Sequence, residues 1–154
     1  MELLGEELIS ATPAQVWEAL NSTEMLQRCI PGCEAIEQVG ENELTATVVT
    51  KVGPIKARFS GKVTLTDLVP EKSYTITGEG NGGAAGLVRG LAYVTLEPSD
   101  DKTRLSYRTE AQIMGKLAQI GARLIDGFAK KTAGEFFSRL KAELEAEEIN
   151  TEAH

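Results

Sequence analysis

Residues 43–66 carry the pattern that leaves this chain the fewest options. Leu44, Ala46, Val48, Thr50 and Val52 alternate with Glu43, Thr45, Thr47, Val49 and Lys51, and Gly53-Pro54 then marks a turn. Beyond it, Ile55, Ala57, Phe59, Gly61, Val63 and Leu65 alternate with Lys56, Arg58, Ser60, Lys62, Thr64 and Thr66. Residues two apart share one face of a strand, so the stretch reads as two half-buried strands joined by a hairpin. A slip of one residue would turn the apolar set into water, which pins the register.

Tyr74 to Thr77, Val88 to Leu96 and Arg104 to Ile113 continue the period of two. Turn signals separate them at Pro70-Glu71-Lys72, over Gly78 to Gly86, and at Pro98-Ser99-Asp100-Asp101. Turns this short imply antiparallel neighbours, because a parallel pair needs a crossover of about a dozen residues or more. After Gly115 the period becomes 3.6, with Leu117, Ile120, Gly121, Leu124, Phe128, Phe136, Leu140 and Leu144 near one face. A helix of about thirty residues would run about 45 Å and cross the whole sheet. Near the N-terminus, Thr12-Pro13 with Gln15 reads as a capping box opening a short helix over 13–20. A second short helix is expected over 23–28, ended by Pro31-Gly32. The expectation is an α+β arrangement: an antiparallel sheet of an N-terminal strand and a meander of about six, closed on the C-terminal helix as its lid. Residues 1–148 read as one domain and 149–154 as a frayed tail.

The sequence has 154 residues, enough to support a core without disulfides or metals. Its formal charge is −7, and the cations are scattered along the chain with no basic run. That pattern argues against a nucleic-acid partner and against a polybasic membrane clamp. No stretch has the character of a signal peptide or of a spanning helix of about 20 apolar residues, so a cytoplasmic location is expected.

Chemistry-bearing patterns are sparse. The one histidine is His154, the last residue, a poor base for a Ser or Cys nucleophile. Cys29 and Cys33 frame Cys-Ile-Pro-Gly-Cys, but a closed metal site would need two more soft ligands, and the spacing is not Cys-x-x-Cys. They read as small half-buried thiols, with a redox pair as the alternative. Gly78, Gly80 and Gly83 fit G-x-G-x-x-G yet open a strand where phosphate cradling needs a helix. Acids at Asp67, Glu79, Glu97, Glu110 and Asp126 fall on separate elements and mostly on the polar parity. No catalytic residue, metal or cofactor is expected.

The apolar parity is rich in small residues, Ala46, Ala57, Gly61, Gly78, Gly90, Ala92 and Ala111, and the helix adds Gly121, Gly127, Ala129, Ala133 and Gly134. Close packing and a concave apolar cavity both account for this. If a cavity exists, its lining is expected from Leu44, Ala46, Val48, Phe59, Gly61, Val63, Leu65, Ile76, Gly78, Ala92, Ile120, Gly121, Leu124 and Phe128. A gate or partner-contacting surface is expected from Cys29, Pro31, Gly32, Cys33, Gly82 and Gly83. Inward polar groups are limited to Thr50, Tyr74, Tyr107 and Thr109, thin support for an enzyme such as a cyclase or hydrolase.

Several motifs occur in order that resemble one family: Ile30-Pro31-Gly32-Cys33, Val52-Gly53-Pro54, Phe59-Ser60-Gly61-Lys62-Val63, Gly80-Asn81-Gly82-Gly83-Ala84-Ala85-Gly86 and Gly115-Lys116-Leu117-Ala118-Gln119-Ile120-Gly121. The chain is similar over about Met1 to Leu144 to the carbon monoxide dehydrogenase G-subunit (CoxG) family of the START-like (SRPBCC) helix-grip superfamily. The resemblance implies a sheet–helix cavity for a lipid- or quinone-like ligand. It also implies a partnership with a molybdenum hydroxylase of the CO dehydrogenase type, either as electron-acceptor supply or as peripheral recruitment to the inner face of the membrane. Longer members continue into a linker and an apolar C-terminal segment; the acidic end of this sequence, Glu143 to Glu148, gives no expectation of a direct anchor. A ligand-free interaction module for the same enzyme is the alternative.

Overall fold

The computed structural model describes residues 1–152, with side chains through Glu147. Strand β1 (Glu2–Ile9) leads into helices α1 (Pro13–Leu20) and α2 (Thr23–Cys29). Six strands follow: β2 (Cys33–Gly40), β3 (Glu43–Val52), β4 (Ile55–Val69), β5 (Ser73–Asn81), β6 (Leu87–Ser99) and β7 (Lys102–Met114). A short helix α3 (Lys116–Gln119) and the long α4 (Ala122–Glu152) close the chain. All pairings are antiparallel, in the order β1-β7-β6-β5-β4-β3-β2, so the six-stranded meander is completed by β1 on the edge beside β7. The α+β helix-grip expectation holds.

Local chemistry accounts for the elements. Thr12 caps α1 by accepting from the Gln15 amide, while the Thr12 amide donates to the Gln15 side chain at 2.8 Å, the reciprocal bonds of a capping box. In the hairpin the register runs Leu44↔Val63, Ala46↔Gly61, Val48↔Phe59, Thr50↔Ala57 and Val52↔Ile55, the pairing that keeps the apolar set on one face. Strand β2 lacked clean alternation in sequence because its pairing shifts between Cys33 and Ala35 and again between Gln38 and Gly40, so facing residues do not recur every second position.

Two further differences concern glycines. Gly78 and Gly80 belong to β5, opposite Gly90 and Val88, and the glycine-rich turn shrinks to a 3-10 turn at Gly83–Ala85 and its flanks. The C-terminal helix is also not continuous from Leu117. Gly121 stands at φ 99, a left-handed value that glycine tolerates, and separates α3 from α4. The backbone of 149–152 is helical, continuous with α4; the rest of the expected frayed tail, with His154, lies outside the described residues.

The largest buried cluster is gathered at one end, while Val52, Ala57, Ala85 and Leu117 are buried apart from it. Ile9, Val16, Leu20, Met25, Tyr74, Val94, Leu96, Leu105, Phe137, Leu140 and Leu144 are buried together where α1, α2 and the C-terminal half of α4 meet β1, β6 and β7. Thr103 is fully buried there, and its hydroxyl donates to the Ala11 carbonyl at 2.7 Å, so the polar atom is satisfied. Two ring contacts tie the layers: Tyr107 stacks on Phe137 and Trp17 meets Tyr74 edge-on, each with centroids 5.3 Å apart. Gly5 permits the first of these, since a Cβ there would fall within the Tyr107 ring.

Leu140→Ala should therefore cost about 2–5 kcal/mol of unfolding free energy in urea titration, whereas Val63→Ala, on the half-open inner face, should cost about 1 kcal/mol or less. Equal losses would mean that both halves are equally packed.

Candidate functional site

Opposed residues of an antiparallel ladder share a face, so the pairings give rows that cross the sheet beneath α4. One row is Leu44, Val63, Gly78, Gly90 and Ala111; the next is Ala46, Gly61, Gly80, Val88 and Ile113; on the core side follow Leu65, Ile76, Ala92 and Thr109. Glycine or alanine thus occupies six of the ten positions in the first two rows, which makes a floor nearly bare of side chains.

That floor is uncovered. A Cβ built on Gly61 would meet only the Ala46 and Glu79 carbonyl oxygens, at 3.7 and 3.8 Å, and one on Gly78 only the Lys62 carbonyl oxygen and the Val63 side chain; no atom of α4 comes within 4 Å of either. Leu44, Ala46, Val48, Phe59, Gly61, Val63, Leu65, Ile76, Gly78, Ala92, Ile120 and Phe128 are all half-buried. Interior apolar side chains in a packed sheet–helix core are closed off from water, whereas these remain partly open on the inner face; they form the candidate seat, beneath the N-terminal half of α4. Leu65 and Ile76 form its inner wall, packed against the core cluster.

Two expected lining residues stand elsewhere. Gly121 is exposed at the break between α3 and α4. Leu124 is 51% exposed, and its Cδ1 lies 3.7 Å from where a Cβ on Gly53 would sit, with Ile120 Cδ1 at 3.9 Å. Leu124 and Ile120 therefore meet the β3–β4 hairpin at the rim of the seat. Sequence periodicity missed this because the break shifts the helical phase: the inward stripe of α4 runs through Ile125, Phe128, Ala129 and Ala133 to the buried Phe137, Leu140 and Leu144.

The expected gate residues divide. Gly82 lies against Phe59, close enough that a Cβ there would be 2.6 Å from the ring, so the β5–β6 loop closes one side of the seat. Gly83 is exposed with nothing within 4 Å. Gly32 packs on the Val49 carbonyl, Pro31 is half-buried, and Cys33 lies opposite Val48. Contrary to the expectation of a half-buried or partner-contacting thiol, Cys29 is 0% exposed, enclosed in the core where α2 meets α4.

The ionisable groups nearby are held neutral. Burial pushes the Cys29 thiol up and Glu143 pushes it further, against Arg28 and Arg139; burial also raises Cys33, whose thiol donates to the Ala35 carbonyl at 3.4 Å. Both cysteines are free thiols. Burial raises the Tyr74 phenol strongly, and burial and then Glu7 raise Tyr107, so both are neutral hydroxyls at pH 7. Among the described residues no group of three metal-ligating side chains converges.

Two surface grooves, of about 470 and 540 Å³, lie on the opposite face of the sheet. The first runs between Leu4 and Tyr93 past Glu6 and Arg108, the second between Glu2 and Leu91 past Arg89 and Glu110. Both are lined mainly by apolar surface and flanked by charged side chains.

Tyr74 supplies a pH prediction. Its folded pKa lies above the unfolded value near 10, so its contribution is complete below about pH 10 and is lost as pH rises beyond. Tyr74→Phe should flatten the fall of urea stability between neutral and strongly alkaline pH; an unchanged slope would contradict the burial argument.

Known proteins share both the sequence pattern and the fold. The family described as the G-subunit of carbon monoxide dehydrogenase (CoxG) matches residues 5–145. A conserved protein from Geobacillus kaustophilus superposes with TM-score 0.90 at 29% identity, covering 95% of this chain and 96% of that one. Ara h 8.0201 superposes with TM-score 0.69 at 17% identity over 95% and 98% of the two chains. The Zhui aromatase/cyclase from Streptomyces sp. R1128 gives 0.64 at 12% over 94% and 93%. The last two share the fold. No curated protein matches the sequence. Because the family match spans the chain from β1 to the anchored half of α4, the protein belongs to the CoxG family of carbon monoxide dehydrogenase.

Proposed function

We propose that this chain is a non-catalytic accessory protein that holds a lipid- or quinone-like molecule in the seat between the sheet and α4, in the service of a molybdenum hydroxylase of the CO dehydrogenase type. The observation that carries the proposal is the uncovered glycine–alanine floor, framed by half-buried Leu44, Val48, Phe59, Val63 and Phe128. An apolar molecule placed there would gain about 2.5 kcal/mol for each 100 Å² taken from water, with no specific polar partner. The inward hydroxyls of Thr50 and Thr109 offer neutral donors suited to orienting a carbonyl such as a quinone oxygen. They offer no base at pH 7, which supports binding over catalysis. Family membership supports the enzyme partner.

A second reading, a ligand-free interaction module, draws on the outer face of the sheet, where Leu4, Leu91 and Tyr93 are 65%, 44% and 47% exposed. Contact with the partner enzyme through that face is compatible with an empty seat.

Gly61→Leu separates the two. Extended backbone and ordinary contacts leave room for the side chain, so stability should change by about 1 kcal/mol or less, while a leucine would fill the floor. Native mass spectrometry after incubation with a short-chain ubiquinone analogue should show a complex with the wild type and loss of at least tenfold in affinity with Gly61→Leu. Equal retention by both, or none by the wild type, would sink the ligand-holding role.

A further inference from the structure

The outer face of the sheet, turned away from the seat, carries two neighbouring rows set by the ladder. Leu4, Arg108 and Tyr93 make one row across β1, β7 and β6, and Glu2, Glu110 and Leu91 make the next. On β7 the two rows therefore offer opposite charges, and on β6 an aromatic ring beside an aliphatic side chain. Leu4, Leu91 and Tyr93 are all exposed. A groove runs beside each row, one along Tyr93 and the other along Leu91, so each apolar projection stands next to an apolar hollow.

Charge limits what such a face can meet. The chain has a formal charge of −7, so two copies repel in most orientations. Around these rows, however, Arg89 bridges to Glu79, Arg104 to Glu6, and Arg108 to Glu2 and Glu110, which leaves the face close to neutral. A strongly charged partner gains little there, and a second copy of the chain loses little.

We propose that the outer face of β1, β7, β6 and β5 closes on a second copy of this chain as a two-fold dimer, with Tyr93 packed on the second copy's Leu91 and Arg108 paired with its Glu110. A two-fold axis lying in the interface, across the strands and between the two rows, exchanges the rows and keeps each strand over its own counterpart. Every contact is then made twice: Arg108 faces Glu110, Tyr93 faces Leu91, and on β5 Thr75 faces Thr77, while Leu4 and Glu2 meet at the rim. The available area is adequate. Strands β1, β5, β6 and β7, of 8, 9, 13 and 13 residues, present about 700 Å² at the usual strand spacing and rise, near the roughly 800 Å² that each partner gives to a stable interface. Row-by-row complementarity of a face to itself is what an isologous interface requires and what a different partner does not, which favours a second copy over the enzyme. Both seats stay open in this dimer, because they lie on the inner faces of the two sheets.

The test is sedimentation equilibrium of the full chain across micromolar concentrations, where the wild type should be a reversible dimer. Arg108→Glu puts two carboxylates in each facing couple and Glu110→Arg puts two guanidinium groups there, so each variant alone should dimerise about tenfold more weakly or worse. An equimolar mixture of the two variants joins unlike charges in every couple and should form a heterodimer within about threefold of the wild-type affinity. The double variant Arg108→Glu with Glu110→Arg should recover in the same way, and either recovery rules out misfolding as the cause of the single-variant losses. A monomeric wild type, single variants that dimerise as well as the wild type, or a mixture that fails to recover would overturn the proposal, the first leaving this face to the partner enzyme. Gly61→Leu should leave dimerisation unchanged, so the outer face and the seat are read separately.

Discussion

The anchoring of one half of α4 sets the rest of the structure. Phe137, Leu140 and Leu144 are buried against α1, α2 and the β1–β7–β6 side of the sheet, with Tyr107 stacked on Phe137 and Lys141 bridged to Glu7 at 3.2 Å. The exposed ion pair adds little beside the apolar packing. A helix is stiff along its length, so fixing its C-terminal half holds the N-terminal half over β3 to β6 without requiring side chains to fill the space between. The uncovered floor is thus compatible with a stable protein because stability resides at the other end.

The same division assigns different work to the two ends. The packed end carries the paired charges, the satisfied buried hydroxyl of Thr103 and the aromatic contacts. The open end carries small residues and loops that meet through glycine. Gly82 against Phe59, and Gly53 against Leu124 and Ile120, bring the hairpin, the β5–β6 loop and the α3–α4 break to one rim.

Much of this was legible along the chain. The alternation of 43–66 gave both strands and their facing residues, and Thr12, Pro13 and Gln15 gave the first helix with its cap. Strand β2 was hidden by its two register shifts, and the phase of α4 was misjudged because Gly121 breaks the helix, which moved Leu124 from the interior to the rim. Cys29, placed with the turn that follows it, is instead sealed in the core where α2 meets α4.

What the sequence determined by itself was the inner face of β3 to β7, because side-chain direction in a regular strand follows from a backbone period of two residues and needs no knowledge of neighbours. From that parity came the glycines and alanines of the floor. Only the tertiary structure decided that the floor stays uncovered and that Leu124 and Ile120 come to rest beside Gly53 of the hairpin. Both depend on where a distant helix comes to rest, and packing energies follow distance in space, which residues far apart in the chain reveal only once they are folded together.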